Sequence, residues 1–281
     1  MPVINTNKSA LIAADALIAN ERVMQKTMRS LSTGSRVNST SDDAAGMAIK
    51  TNMTAQINGL NAAVRNANDG INMLQTADGA LSGVTDMLQR MRELAVLGST
   101  DTYSTAQKTS MNDEYQALLN QVNLVSTTTQ WNKMGLLTGS GGEVGGSTRF
   151  SFQIGANAGQ TVSVTIVDQS TTTALGTQSI AGTVLTSGAY AAAAVSAIDG
   201  ALSNINTNRS ALGAAVNRLE HAINNLTNVA QNTTDARSRV ADTDYSKATS
   251  DLARQQILQQ AGTAMLAQAN QQPSTVLALL R

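Results

Sequence analysis

The chain contains no cysteine, few aromatic residues and few charged ones. Without cysteine it forms neither disulfides nor iron–sulfur clusters, and thiol catalysis is excluded. Aromatic residues make up only 2% of the 281 residues, whereas a compact enzyme usually relies on aromatic side chains as bulky core anchors. Charged residues make up 14% and balance to a net charge of zero. Because nucleic acids and anionic membranes attract a basic surface, neither is expected as a partner.

Long apolar runs are also missing. No stretch of about 18 consecutive apolar residues occurs, so no transmembrane helix is predicted. The first seven residues, MPVINTN, lack the basic and then apolar arrangement of a secretory signal peptide. The chain therefore either stays inside the cell or leaves by a route that needs no such peptide, and composition does not choose between the two.

The sequence does contain apolar residues that alternate at spacings of three and four, a pattern typical of helices that pack along a seam. Three segments show it, at 57–95, 111–125 and 198–230. We expect these segments to pack side by side as a helix bundle. The residues assigned to its assembly seam are Leu74, Leu81, Leu88, Leu202, Leu212, Leu219 and Leu226.

The two ends of the chain form another predicted pair of helices. Apolar side chains near the N-terminus recur every seven residues, and residues 252–269 near the C-terminus are compatible with a helix. Pro273 is expected to stop or kink that helix. The residues assigned to the inner-core packing of this pair are Leu17, Met24, Leu31, Leu258 and Met265.

Several glycines lie inside the predicted helices, and each costs roughly 1 kcal/mol relative to alanine. Asn, Gln, Ser and Thr, rather than charged residues, flank the seams. Such helices are marginal alone and gain stability by packing on several sides. The pattern therefore indicates a subunit completed by its neighbours, whose termini are expected to order only on assembly.

The segment 138–187 has a different composition, rich in Gly, Ser and Thr. Strand-like alternation occurs at Phe150, Phe152 and Ile154 and again over 162–166. These features predict a β-hairpin followed by a small, irregular segment.

Several longer motifs resemble those of bacterial flagellins. They are LSTGSRVN at 31–38, SDDAAGMAI at 41–49, RNANDGI at 65–71, LQRMRELAV at 88–96 and ILQQAGTAMLAQANQ at 257–271. Motifs of this number and length are specific. Flagellins usually insert further outer domains where this chain has only a short segment, so it resembles a near-minimal member of that family.

The resemblance implies a mainly α fold, namely a long antiparallel, coiled-coil helix bundle with a small β-hairpin and paired N- and C-terminal helices. It covers residues 1–166 and 195–281. The domains that it implies are an inner terminal-helix domain at 1–42 and 241–281, and an outer helical bundle at 43–190 and 191–240. Within the outer bundle it implies a β-hairpin at about 146–167 and a short variable loop at about 168–190.

The function implied by the resemblance is that of a structural subunit, exported by a flagellar type III route, that polymerises into an extracellular filament for swimming. Its implied partners are further copies of itself, an export chaperone at the C-terminal helix, the filament cap and hook-associated proteins. The alternative is a hook–filament junction protein, which shares flagellin-like ends. No enzyme activity, cofactor or metal is expected, since His221 is the single histidine and the glycine-rich segment 139–146 lacks the lysine of a phosphate loop.

Arg90, Leu94 and Glu114 match positions by which many flagellins contact the host Toll-like receptor for flagellin. On a helical surface the same residues also serve contacts between subunits, and both interpretations stay open. Leu118 stands where receptor-active relatives tend to carry a basic residue, and Leu97 replaces a polar one. Receptor contact is therefore one of two roles that the resemblance allows.

Arg209 interrupts the third apolar seam. Its aliphatic stem could lie along the seam with the guanidinium at the edge of the bundle. Alternatively, it pairs with a carboxylate on a facing helix and fixes the register of the two helices. The sequence leaves both explanations open.

Overall fold

The computed structural model describes residues 6–138, 147–168, 185 and 187–278. Its helices are α1 (Lys8–Thr33), α2 (Ala44–Ser99), α3 (Thr105–Thr128), α4 (Gly188–Ala241) and α5 (Tyr245–Ala278). Strand β1 (Gln130–Trp131) pairs antiparallel with β2 (Met134–Gly135), and β3 (Ser147–Gln153) with β4 (Thr161–Val167). The predicted mainly α fold with a small antiparallel β region is confirmed.

Some of the predicted features fall where nothing is described. The variable loop at about 168–190 lies for the most part outside the described residues. The same holds for the glycine-rich segment 139–146 and for both extreme ends of the chain. Pro273 does not end its helix, because α5 continues through it to Ala278. A proline removes one N–H from the helical ladder, while the hydrogen bonds of the turns on either side can persist.

The chain divides into two compact units. The terminal unit consists of Met1–Ile57 and Gln231–Arg281, and the central unit is Asn58–Ala230. In the terminal unit α1 packs against α5, and the two helices run antiparallel, since Asn7 contacts Ala269 while Leu31 contacts Tyr245.

A short ladder of main-chain hydrogen bonds joins the two ends of the chain inside the terminal unit. The helix α1 ends at Gly34, whose φ of +68° is a left-handed conformation that glycine adopts without strain. The Gly34 carbonyl accepts from the Thr243 amide at 3.0 Å, and the Arg36 amide donates to the Ala241 carbonyl at 2.7 Å. This ladder ties the segment after α1 to the segment before α5.

The loop between α1 and α2 is organised by Asp42. Its Oδ2 accepts hydrogen bonds from the amides of Asn38 and Ser39 at 3.3 and 3.1 Å, and Lys26 Nζ lies 3.2 Å from its Oδ1. The Lys26 ammonium, followed by the Ser39 amide, lowers the pKa of the Asp42 carboxyl below its ordinary value of 3.8. The next residue, Asp43, accepts from the Gly46 amide at 2.9 Å and so starts α2.

The central unit has one main apolar core, which α2, α3 and α4 share. The three predicted seams lie in these three helices, so the expected bundle is confirmed. Helix α3 begins with a capping box, in which Ser104 and Gln107 exchange side-chain and main-chain hydrogen bonds. The hairpin covers the same core with alternate side chains of β4, namely Val162, Val164 and Ile166.

The hairpin lies close to α2 at Gly70. A Cβ atom placed on Gly70 would stand 3.0 Å from Cδ1 of the Phe152 ring and 3.1 Å from its Cε1. Gly79, farther along the same helix, has nothing within 4 Å of the corresponding position. The first glycine is therefore required by the packing of the hairpin, and the second is not.

We expect Gly70→Val to lower the free energy of unfolding by about 1–3 kcal/mol, because the added methyl groups would collide with the Phe152 ring. Gly79→Val is the matched control and should be neutral or slightly stabilising, since it adds helix propensity in open space. Urea unfolding of the soluble chain measures both. Equal effects of the two substitutions would contradict the packing role of Gly70.

A second prediction concerns acid stability. Because the folded pKa of Asp42 is lowered, its stabilising contribution is present above the unfolded pKa and is lost as the pH falls through the folded one. The reference chain should therefore lose stability as the pH falls through 3.8 and below, and Asp42→Asn should remove that part of the loss. Unfolding midpoints measured over this range test it, with Asp15→Asn, at an exposed carboxylate of α1, as the control. Identical acid profiles for Asp42→Asn and the reference chain would be incompatible with this account.

Candidate assembly surfaces

The residues of the predicted assembly seam lie within the central unit. All but Leu202 are buried, and Leu202 is partly buried against the same core. The buried ones are Leu74, Leu81, Leu88, Leu212, Leu219 and Leu226. These leucines pack helix against helix inside one chain, and their participation in contacts between subunits stays a prediction.

The inner-core residues of α1 lie on its less exposed side. Leu17, Met24 and Leu31 are all partly buried, and Leu17 packs directly over Gly262 of α5. A Cβ on Gly262 would stand only 2.8 Å from Leu17 Cδ2. Gly262 therefore acts as the hole that receives the Leu17 side chain. The spacing of residues along α5 does not by itself reveal this role of Gly262.

The inner-core residues of α5 are not placed against α1. Leu258 is 50% exposed and Met265 is 65% exposed. The less exposed positions of α5 alternate at three and four residues along a different line, which includes Gln255, Gln259 and Gly262. Apolar residues occur on both sides of this helix, so its apolar spacing alone does not identify the side that faces α1.

The terminal helix pair consequently carries an apolar outer surface. Eight large apolar side chains of α1 and α5 are between 47% and 70% exposed. We call this set the outer apolar face. Its members are Leu11, Ile12, Ile18, Val23, Met28, Ile257, Leu258 and Met265. Single exposed apolar residues are common, but so many on two adjacent helices are typical of a surface that another protein covers.

The three residues matched to receptor contact do not share one environment. Arg90 donates from Nε to Glu114 at 2.9 Å and from Nη1 to Glu93 at 2.9 Å. The side chains of Arg90, Glu93 and Glu114 are all exposed. The hydrogen bond to Glu114 is the main reason why the pKa of Arg90 is raised. Leu94 is only 2% exposed and belongs to the central core, beside Leu88. The expectation of direct contact through the Leu94 side chain is therefore corrected, because its position on α2 turns it inward.

Two further ion pairs join α2 to α4. Arg209 Nε donates to Asp78 Oδ1 at 2.7 Å, and Arg92 Nε donates to Asp199 Oδ1 at 2.6 Å. The hydrogen bond from Arg92 lowers the pKa of Asp199, and that to Asp78 raises the pKa of Arg209. The pairing explanation of Arg209 is thus what the structure shows. Since these side chains are substantially exposed, each pair adds little stability, and the role of Arg209 in fixing the register of the two helices stays a prediction.

Two further features are absent from the described part of the chain. Among those residues, no group of three or more His, Cys, Asp or Glu side chains could hold a metal ion. In the same part, no helix combines the length and the hydropathy needed to cross a membrane.

Comparison with known proteins identifies the family. The profile of the bacterial flagellin N-terminal helical region matches residues 4–141, and that of the C-terminal helical region matches residues 195–280. A flagellin of Halalkalibacterium halodurans is 44% identical over 99% of this chain and 100% of its own length. A flagellin of Bacillus subtilis is 40% identical over 99% of both chains.

A solved structure shares the fold. A putative flagellar hook-associated protein from Vibrio parahaemolyticus superposes with a TM-score of 0.60 over 72% of this chain and 100% of its own. At 14% identity this likeness shows the fold alone and does not favour the junction-protein alternative. The two matched regions and the full-length relatives agree with the motifs, and the chain therefore belongs to the bacterial flagellin family and is a non-enzymatic, exported structural subunit of the flagellar filament.

Proposed function

We propose that this chain builds its filament mainly through the α1–α5 pair, with 1–42 and 241–281 as the inner layer and 43–190 and 191–240 as the outer one. The outer apolar face is the observation that supports this proposal. Full burial of a large apolar side chain of this kind contributes roughly 1.5–3 kcal/mol of favourable free energy. Further copies of the chain can supply that burial, because the same surface occurs on every subunit and repeats without closing.

The soluble chain needs its apolar face covered before it reaches the filament. Ile257, Leu258 and Met265 lie within the C-terminal segment that the resemblance assigns to an export chaperone. A chaperone that covers this side of α5 would prevent premature association. Export by the flagellar type III route, and contacts with the filament cap and hook-associated proteins at the filament ends, belong to the same proposal.

Receptor contact is the second proposed role, and it rests on Arg90 and Glu114. Their side chains are 49% and 46% exposed, although they pair with each other. A receptor that offers complementary charges can reach both without opening the bundle. The Leu94 side chain contributes only indirectly, by packing α2 into the central core.

Substitution of Leu258 by Asp tests the role in assembly. Because the carboxylate would have to be buried between copies, we expect the elongation of short filament seeds to slow by more than about tenfold. Electron microscopy of filament length over time measures it. Leu124→Asp is the matched control, since Leu124 on α3 is 52% exposed, and its effect should be smaller. Normal elongation by Leu258→Asp would overturn the proposal.

Arg90→Ala tests the receptor role. It should weaken the response of cells that carry the host Toll-like receptor and leave the unfolding midpoint nearly unchanged, since an exposed ion pair adds little to stability. Arg92→Ala is the control, because Arg92 lies on the same helix with similar exposure. The receptor role is ruled out if the reference chain elicits no response or if the two variants respond alike.

A further inference from the structure

The contact between α1 and α5 combines large apolar side chains, such as Leu17, Met24 and Leu31 of α1, with small and polar ones. Along α1 the less exposed positions alternate at three and four residues, and every second one is small or polar, as at Ala13, Asn20 and Thr27. Facing positions of α5 include Gln255 and Gly262. None of the α1 side chains, all of which the structure describes, is fully buried. Apolar burial alone therefore does not account for the way the two helices align.

Hydrogen bonds from side chains to the main chain of the other helix occur at three places along this contact. Tyr245 Oη of α5 donates to the Leu31 carbonyl at 3.4 Å, close to the ladder at Gly34, and the other two lie farther along the helices. Asn7 Nδ2 donates to the Ala269 carbonyl at 2.7 Å, and Asn20 Nδ2 donates to the Gln255 carbonyl at 2.9 Å. The ladder at Gly34 is the third tie between the two ends of the chain. The three ties follow each other at intervals of about two heptads, or about 20 Å along the helix.

The position of Asn20 carries a cost in folding free energy. Its Oδ1 is buried and has no hydrogen-bond partner among the described residues. A buried polar atom without a partner is unfavourable, and an apolar side chain at the same position would avoid that penalty. In coiled coils, a single buried asparagine of this kind lowers stability but specifies register. The cost therefore points to alignment, rather than strength, as the role of this residue.

Alignment matters here because the apolar pattern repeats. A seam that repeats every seven residues can re-form after a slip of one heptad, about 10 Å. A carboxamide directed at one carbonyl loses its partner in such a slip. The slip would also displace the part of the outer apolar face on α1 from the part on α5, so that a neighbouring copy would meet a different surface.

We propose that the carboxamides of Asn7 and Asn20 set the register of α1 against α5 and thereby fix the outer apolar face that other copies of the chain contact. This inference deepens the proposed role of the helix pair and rests on it. Asn7 joins the two helices at the end of the pair that is farthest from the ladder. There it also caps α1 by accepting a hydrogen bond from the Ala10 amide at 3.0 Å. Asn20 holds the middle, midway between Asn7 and the ladder.

The test uses the absence of cysteine. Cysteines introduced at Glu21 and Gln256, two exposed positions beside the Asn20 tie, carry spin labels, and labelled chains are diluted into filaments of unlabelled chain. Pulsed electron–electron double resonance then measures the distribution of distances between the two spin labels. The reference chain should give one narrow distribution. Asn20→Asp should broaden it at neutral pH, because the carboxylate that replaces the amide faces the Gln255 carbonyl.

Acidification distinguishes the loss of the hydrogen bond to Gln255 from a general change in packing at position 20. Partial burial and the facing carbonyl raise the pKa of the introduced carboxyl above the ordinary value of aspartate, so acidification should protonate it while exposed carboxylates are still ionised, and it can then donate to Gln255 again. The narrow distribution should then return. Asn20→Leu, which has no donor at any pH, should stay broad although it adds apolar contact. Gln25→Glu, an amide-to-acid change on the exposed side of α1, is the control and should stay narrow.

An unchanged narrow distribution in Asn20→Asp and Asn20→Leu would overturn the inference, as would equal broadening in Gln25→Glu. Failure of the labelled reference chain to enter filaments would instead count against the proposed role of the helix pair. In that case the same distance measurement on the soluble chain decides the register inference, because the ties lie within one chain.

Discussion

Two helices that pack along a single line can hide only one stripe of each from water, and this constraint governs the terminal unit. Its contact line is occupied largely by small and polar side chains, with Leu17 set over Gly262. Most of the large apolar side chains of the two helices consequently point outward. The pair therefore has much of its apolar surface left to bury, and a polymer of identical subunits provides that burial.

The central unit, in contrast, buries its apolar side chains without the help of another copy of the chain. Three helices and a hairpin surround its core, so the seam leucines find partners on more than one side. Ion pairs at the edge of this core, such as Arg209 with Asp78, join α2 to α4 and stay partly hydrated, so they add little stability. This contrast explains why the seam leucines of the central unit are buried, whereas many large apolar side chains of the terminal unit are exposed.

The sequence predicted the central bundle well because its apolar spacing admits a single interpretation. Between Leu74 and Leu88 the helix α2 carries one dominant apolar stripe, and that stripe is buried. The same reasoning failed at Leu258 and Met265, since α5 has apolar residues on more than one side. It also missed the ties of Asn7 and Asn20, because a hydrogen bond to a main-chain carbonyl leaves no mark on the sequence of the accepting helix.

The sequence by itself determined the helical character of the chain, the position of its hairpin and, through its motifs, the family to which it belongs. These properties depend on local spacing and on residue identity, which are written along the chain. Only the tertiary structure decided which side of α5 faces α1, that Leu94 lies in the core while Arg90 remains at the surface, and which carboxylate pairs with Arg209. Each of these depends on the approach of residues far apart in the sequence, and spacing along one helix carries no information about the distance to another.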